Sequence, residues 1–166
     1  MKTKTANRTY FMVQAAAIAA IYTVLTMVFA PLSFGAVQFR ISEALCILPF
    51  FTPAAIPGVA LGCLLSNLLC GAAALDVIFG SIATLIGAVG SYAVRGTKWA
   101  VCLPPIISNT LIIPWVLRYA YGSEDMIWFA MITVGIGEIL AIGVLGNLLM
   151  AALEPLRKVV FRKTAV

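Results

Sequence analysis

Glu138 is an acidic residue in the middle of a long apolar stretch, within the sequence GIGE at 135–138. A carboxylate in an apolar segment surrounded by lipid costs roughly 2.5–3.5 kcal/mol, so it usually faces the protein interior and serves a function. The neighbouring glycines allow a ligand or another helix to approach closely. The alternative is that Glu138 pairs with a buried Asn or Arg and only holds helices together.

Asn109 lies in a second apolar stretch, with Pro104 and Pro105 before it and Pro114 after it. A proline inside a helix frees the carbonyl four residues earlier. Freed backbone groups are tolerated in a membrane where they line a cavity. Asn109 is therefore a second candidate ligand residue, and the alternative is a kinked helix with one interhelical hydrogen bond.

Four further polar residues lie at the beginnings of apolar stretches. Gln38, Arg40 and Glu43 lie close together, and Asp76 begins a later stretch. Arg40 and Glu43 have the i, i+3 spacing of a helical ion pair, so they either pair with each other or contact a ligand. Asp76 either caps its helix or contacts a ligand.

Three aromatic residues, Phe39, Phe79 and Trp115, are candidates to stack on a flat ligand. Most aromatic residues in an apolar chain belong to the core or to the membrane interface. Each of the three is therefore a weaker candidate than the polar residues.

The composition identifies the kind of protein that holds these residues. Of the 166 residues, 63% are hydrophobic and 10% are charged, and the mean hydropathy is +1.07. A soluble domain has roughly 25% charged residues, so lipid must surround most of this chain. The net charge of +5 does not indicate nucleic acid, because the basic residues gather between apolar stretches and at the chain ends. The predicted fold class is an all-α integral membrane protein.

Several functional classes lack their characteristic residues. The chain has no histidine, which is the commonest metal ligand and general base. It has no GxxxxGK[ST] loop for ATP and no GxSxG or HExxH motif. The four cysteines lie in apolar runs, as expected of small buried hydrophobic residues. We expect no metal, no cofactor and no enzymatic activity.

We predict a single membrane domain, residues 1–166, that forms a bundle of six transmembrane helices. A membrane span needs about 20 apolar residues, which places the helices at about 11–30, 39–51, 56–73, 75–94, 99–119 and 126–153. The first run is longer than the apolar region of a signal peptide. With six spans, all Lys and Arg residues except Arg40 and Arg118 lie on one side. The positive-inside rule then makes both termini cytoplasmic.

In this arrangement the polar residues can converge. At 1.5 Å per residue, Asn109 and Glu138 lie roughly 15–18 Å into their helices from the outer side. Arg40, Glu43 and Asp76 lie at outer helix ends. We therefore expect a pocket that opens outward.

The first predicted helix contains alanines at helical spacing. Ala15 with Ala19, and Ala16 with Ala20, form small-xxx-small pairs that allow close helix packing. The pairs indicate either internal packing or a membrane partner.

The chain resembles the QueT family over nearly its whole length. The resemblance includes AAIYTVLT at 19–26, PLSFG at 31–35, QFRISEAL at 38–45, LPFF at 48–51 and LDVIFGS at 75–81. It also includes LPP at 103–105 with Asn109, and the pair Gly137-Glu138. QFRISEAL is the most specific of these motifs.

The resemblance implies a substrate-binding S component of an energy-coupling factor (ECF) transporter in the bacterial cell membrane. Such a component docks on a transmembrane coupling subunit with two ABC-type ATPases, and an alanine-rich surface of its first helix faces that subunit. The implied ligand is a queuosine precursor, a 7-deazaguanine base such as queuine or its aminomethyl precursor. The matched motifs also make Ser81 a candidate ligand residue.

Each candidate residue then has an expected role. Glu138 would accept two adjacent N–H donors from a guanine-like edge, and Asn109 would bind the carbonyl edge. Asp76 or Glu43 would meet the amine of the ligand. The alternatives are a small transporter or channel that works alone, an S component for another vitamin-like heterocycle, and an enzyme acting on a lipid.

Overall fold

The structure, a computed structural model, describes residues 2–33 and 39–161, and over these residues it is all-helical. The elements in chain order are α1 (Lys2–Val28), α2 (Ala30–Ser33), a 3₁₀ helix (Ile41–Phe50), α3 (Ala55–Leu69), α4 (Ala74–Ala93), a 3₁₀ turn (Lys98–Ala100), α5 (Leu103–Tyr121), α6 (Ile127–Glu138), a π-helical segment (Ile139–Gly146), α7 (Asn147–Leu153) and α8 (Arg157–Val160).

Four helical stretches are long and apolar enough to cross a membrane: Asn7–Val28, Ala74–Ala93, Lys98–Tyr121 and Ile127–Leu153. The 3₁₀ helix and α3 are apolar but shorter. Large apolar side chains such as those of Val28 and Leu69 are 65% and 63% exposed. Lipid makes such an apolar surface favourable, whereas water does not. The prediction of an all-helical, multi-pass membrane protein is confirmed at this level.

Small residues bring α1 and α3 into close contact. A Cβ at Gly58 would lie 2.9 Å from the Cβ of Ile18, and a Cβ at Gly62 would lie 2.6 Å from the Cβ of Tyr22. Ala15 and Ala19 are buried at the same contact. For these two alanines the structure shows internal packing against α3, one of the two alternatives that the sequence left open. Ala16 and Ala20 are exposed.

The second predicted helix, 39–51, is observed as a 3₁₀ helix in which every residue after Ile41 is buried. Ten residues at a rise of about 2.0 Å span roughly 20 Å. Long 3₁₀ helices are uncommon because their hydrogen-bond geometry is poorer than that of α-helices. Here α1, α3, α4, the π-helical segment and α7 surround the helix, so packing on all sides holds it in place.

The break between α3 and α4 comes earlier than predicted. We expected the third helix to continue to residue 73, but α3 ends at Leu69. Gly71 has a φ of 72°, and the Ala72 N–H donates to the Asn67 carbonyl at 2.9 Å. Glycine adopts this left-handed conformation without strain, which is why it commonly ends helices.

The last predicted helix, 126–153, changes its winding at Glu138. The α-helical turns of α6 end there, and a π-helical segment runs from Ile139 to Gly146 before α7 begins. π-Helical turns are rare and occur frequently at functional sites.

The two ends of the described chain meet at one end of the bundle. The Tyr10 hydroxyl donates to the Val160 carbonyl at 3.0 Å, and Gln14 Nε2 donates to the same oxygen at 3.2 Å. The rings of Phe51 and Phe161 stack with centroids 4.9 Å apart.

Candidate ligand-binding site

A buried ion pair lies where α4 begins and α5 ends. Arg40, just before the 3₁₀ helix, places Nη2 3.4 Å from Asp76 Oδ2, and the two side chains are 5% and 1% exposed. The Tyr121 hydroxyl donates to the same carboxylate oxygen at 2.9 Å. Asp76 thus gathers a cation and a phenol from segments far apart in sequence. Arg40 pairs with Asp76 rather than with Glu43, which was the partner that the i, i+3 spacing allowed.

Asn67 of α3 adjoins this ion pair. It is completely buried, and its Nδ2 donates to the Asp76 carbonyl at 3.2 Å. Gly80, one turn after Asp76, faces both side chains: a Cβ there would lie 3.1 Å from Asp76 Oδ1 and 3.2 Å from Asn67 Nδ2. Glycine at this position therefore lets the Asp76 and Asn67 side chains pack closely against α4, where a larger residue would be crowded.

Glu43 forms a second centre deeper in the bundle. Its Oε1 accepts hydrogen bonds from the hydroxyls of Tyr22 and Thr84, the latter at 3.4 Å. Its Oε2 accepts from Cys46 Sγ at 2.9 Å. Both oxygens of this buried carboxylate therefore have donors, and they connect the 3₁₀ helix with α1 and α4.

Glu138 and Asn109 form the third part of the cluster. They are 5% and 2% exposed, so both point into the bundle rather than into lipid. The Asn109 side chain interacts with the Glu138 carboxylate, which also interacts electrostatically with Glu43 and Arg40. The cluster therefore continues from the buried ion pair to Asn109 within α5 and to Glu138 at the end of α6.

Several buried polar atoms, three of them in this cluster and one on Thr110 directly after Asn109, have no hydrogen-bond partner among the described residues. They are Asn67 Oδ1, Asp76 Oδ1, Thr110 Oγ1 and Glu138 Oε2. Each buried, unsatisfied polar group costs about 1–3 kcal/mol. Three of the four are acceptors only, so the groups that would satisfy them are hydrogen-bond donors.

The structure brings together five of the residues predicted for the site: Arg40, Glu43, Asp76, Asn109 and Glu138. Three carboxylates in this group face one guanidinium. Gln38, the sixth polar candidate from the sequence, lies outside the described residues.

The other predicted ligand residues lie elsewhere. Phe79 and Trp115 are 45% and 44% exposed and line an apolar groove of about 320 Å³ on the outside of α4 and α5. Phe39 is half-buried against the core. Ser81 is buried and donates to the Val77 carbonyl of its own helix at 2.6 Å. As placed, Phe79 and Trp115 do not adjoin the polar cluster, because their positions on α4 and α5 face outward.

Sequence reasoning missed four residues of the cluster: Tyr22, Asn67, Thr84 and Tyr121. Asn67 carried a usable signal, since it is an amide within the apolar run 55–69. For Tyr22 and Tyr121 the sequence contained no such signal, because tyrosine is common in membrane helices and only the structure shows that their hydroxyls contact carboxylates.

Comparison with known proteins gives two matches. The family model of the QueT transporter matches residues 12–155. The queuosine precursor transporter QueT of Lactococcus lactis subsp. cremoris (strain MG1363) is 40% identical over 82 residues. This alignment covers 48% of each chain, so the match spans about half the length of that curated relative.

No solved structure matches the chain. The family model, in contrast, extends from the middle of α1 through the end of α7 and includes every described residue of the polar cluster. The chain therefore belongs to the QueT transporter family.

Proposed function

We propose that this protein is the substrate-binding S component of an ECF-type importer and that it captures a queuosine precursor from outside the cell. The observation that supports this most directly is the buried polar cluster, whose acceptor atoms on Asp76, Asn67 and Glu138 lack donors within the described chain. A ligand rich in N–H groups would supply those donors. The relative from Lactococcus lactis is named as a transporter of such precursors.

In this proposal the chain crosses the membrane six times, with both ends in the cytoplasm. The contact between Tyr10 and Val160 agrees with an even number of crossings. The basic residues near both chain ends agree with a cytoplasmic position of that side. The opposite end of the bundle, where Asp76 begins α4 and Tyr121 ends α5, then faces outward.

Glu138 and Asn109 bind the base in this proposal. One edge of a 7-deazaguanine presents two adjacent N–H donors, and one carboxylate accepts both with charge-assisted hydrogen bonds. Oε2 of Glu138 has no partner among the described residues and is available for this role. Asn109, beside that carboxylate, donates to the carbonyl of the base.

Energy for import comes from partner subunits in this proposal, because the sequence has no nucleotide-binding loop. The partners are a transmembrane coupling subunit and two ABC-type ATPases. The exposed alanines Ala16 and Ala20 on α1 form the small-residue surface that meets the coupling subunit.

Reconstitution tests the proposal. The purified full-length chain in lipid nanodiscs is expected to bind 7-deazaguanine bases in a titration, with thiamine and riboflavin as heterocycle controls. Liposomes with the chain alone are expected to show binding without uptake, and uptake is expected only after the coupling subunit and ATPases are added with ATP. Uptake by the chain alone would identify a self-sufficient transporter instead, and binding of a control vitamin in place of the bases would reassign the ligand.

A further inference from the structure

The apolar groove of about 320 Å³ lies on the outside of the bundle, between the beginning of α4 and the second half of α5. Leu75 and Phe79 of α4 form one wall, and Leu111, Trp115 and Tyr119 of α5 belong to the other. The lining side chains are aliphatic or aromatic, so the groove favours an apolar occupant. In a chain that crosses a membrane, this surface faces lipid.

The groove has the length and shape to hold part of an acyl chain. From Leu111 to Tyr119 it follows roughly 12 Å of α5, at 1.5 Å per residue. The rings of Trp115 and Tyr119 are nearly parallel, with centroids 6.3 Å apart, so they extend one wall along the helix. An empty groove would deprive its lining side chains of dispersion contacts. Apolar lining alone does not select one lipid, however, because all lipid tails are similarly apolar.

Arg118 distinguishes this groove from the rest of the lipid-facing surface. It follows Leu111 by seven residues and Trp115 by three, which places the three side chains on one side of α5. Its side chain is exposed, and it forms no ion pair within the described part of the chain. Arg118 lies in the last turn of α5, which ends at Tyr121. Tryptophan and tyrosine beside it are typical of the level of lipid headgroups.

A phosphodiester is the group that this arginine fits best. A guanidinium presents paired N–H donors whose geometry matches phosphate oxygens. In the proposed orientation Arg118 and Arg40 are the two basic residues on the outer side, and Arg40 already pairs with Asp76. The acidic residues Glu124 and Asp125 come after the end of α5 and form no ion pair with Arg118. Its charge is therefore available to a lipid headgroup.

We propose that Arg118 and the groove form a site for one phospholipid, which places its phosphate on the guanidinium and one acyl chain between α4 and α5. The site is separate from the polar cluster, whose side chains point into the bundle, and it does not depend on which molecule is transported. Asp76 begins α4 and Tyr121 ends α5, and their side chains meet at 2.9 Å. A lipid bound across the two helices would stabilise these helix ends against each other.

Quenching of tryptophan fluorescence by brominated lipid tests the site, because Trp115 lines the groove. The full-length chain has three tryptophans. Trp99→Phe with Trp128→Phe leaves Trp115 as the reporter, and Trp99→Phe with Trp115→Phe leaves Trp128. Trp128, in the first turn of α6, is 61% exposed and reports on ordinary lipid-facing surface. Each protein is placed in bilayers of digalactosyl diacylglycerol, which has no phosphate, with increasing fractions of phosphatidylglycerol brominated on its acyl chains.

We expect the brominated phospholipid to quench Trp115 at a fraction at least about fivefold lower than it needs to quench Trp128. An effect of this order is expected of a charge-assisted hydrogen bond at a partly exposed site. Arg118→Gln is expected to remove the preference, and Arg118→Lys to retain part of it, since lysine keeps the charge but not the paired donors. Arg95→Gln is the matched control, at an exposed arginine beyond the other end of α4 that lies over the Tyr92 ring.

Equal quenching of Trp115 and Trp128 at each lipid fraction would overturn the phospholipid site. A preference at Trp115 that persists in Arg118→Gln would overturn it as well, because the groove would then hold acyl chains without recognising phosphate. If a 7-deazaguanine base displaces the brominated lipid from Trp115, the groove belongs to the transported ligand and the lipid site is rejected. The main titration contains no base, so its result is independent of the proposed function.

Discussion

The buried carboxylates of this protein differ in how many of their oxygens already have donors. Glu43 is fully satisfied and joins the 3₁₀ helix to α1 and α4, which is a bracing role. Glu138 and Asp76 each keep one oxygen without a donor among the described residues. The unsatisfied oxygens, rather than burial or charge alone, separate the candidate ligand residues from the structural one.

Glu138→Gln is expected to weaken binding of a 7-deazaguanine base about 10- to 100-fold. The substitution keeps the size of the side chain but replaces a charged acceptor with an amide, and hydrogen bonds to charged groups contribute about 1.5–3 kcal/mol. A binding titration on purified protein measures the change. Glu154→Gln, at an exposed residue that pairs with Lys98, is the control, and an unchanged affinity in folded Glu138→Gln would remove Glu138 from the site.

Tyr22→Phe is expected to reduce the free energy of unfolding by about 1–3 kcal/mol, because it removes a donor from the buried Glu43 carboxylate. Tyr22 is completely buried, so water cannot replace its hydroxyl. Denaturant unfolding in detergent measures the loss. Tyr10→Phe removes an exposed hydrogen bond to Val160 and should cost less; equal effects of the two variants would contradict the bracing role.

Two elements depart from a regular bundle, and both lie next to residues of the polar cluster. The 3₁₀ helix supplies Glu43, with Arg40 just before it, and the winding changes to π-helical directly after Glu138. α1 and α3, in contrast, approach closely through glycine and alanine. The buried carboxylates therefore come from both kinds of element: Glu43 from the 3₁₀ helix, and Asp76 and Glu138 from the α-helices α4 and α6.

Gly62→Ala is expected to destabilise the fold by about 1–3 kcal/mol, the usual cost of overpacking. The added methyl group would lie 2.6 Å from the Cβ of Tyr22, so α1 and α3 must separate. Thermal or denaturant unfolding measures the effect, with Gly143→Ala as the control at an uncrowded position. Equal stability of the two variants would show that the contact between α1 and α3 tolerates the methyl group.

The whole molecule presents two kinds of surface to its surroundings. Large apolar side chains cover most of the exterior, as in other proteins dissolved in lipid. On α1 the exposed surface also includes the small residues Ala16 and Ala20, which allow another helix to approach closely. In the proposed importer, this is where the coupling subunit docks.

The double substitution Ala16→Leu and Ala20→Leu is expected to leave ligand binding unchanged and to reduce ATP-driven uptake at least about tenfold. Leucine side chains would hold the partner helix away without touching the polar cluster. Uptake by co-reconstituted liposomes, measured beside binding in nanodiscs, separates the two effects. Ala93→Leu, an exposed position on α4, is the control, and full uptake by the double variant would contradict this interface.

The sequence alone was enough to conclude that lipid surrounds most of the chain and to identify the main polar residues of its interior. Apolar runs near 20 residues can be stable only in lipid, and a charge within such a run is costly wherever it occurs. These are local properties, so Glu138, Asn109, Asp76, Arg40 and Glu43 could be identified without a structure. The predicted helix boundaries depart furthest from the observed ones at the start of α1, which begins at Lys2 rather than at residue 11, and α3 also ends early, at Leu69, because of Gly71.

Only the tertiary structure decided which of these residues meet. Arg40 pairs with Asp76, 36 positions away, rather than with nearby Glu43, because the rotation and depth of each helix determine which side chains face one another. The same geometry buries Ala15 and Ala19 and leaves Ala16 and Ala20 exposed. Contacts between distant segments depend on how the helices pack, and that packing is a property of the whole bundle rather than of any one stretch of sequence.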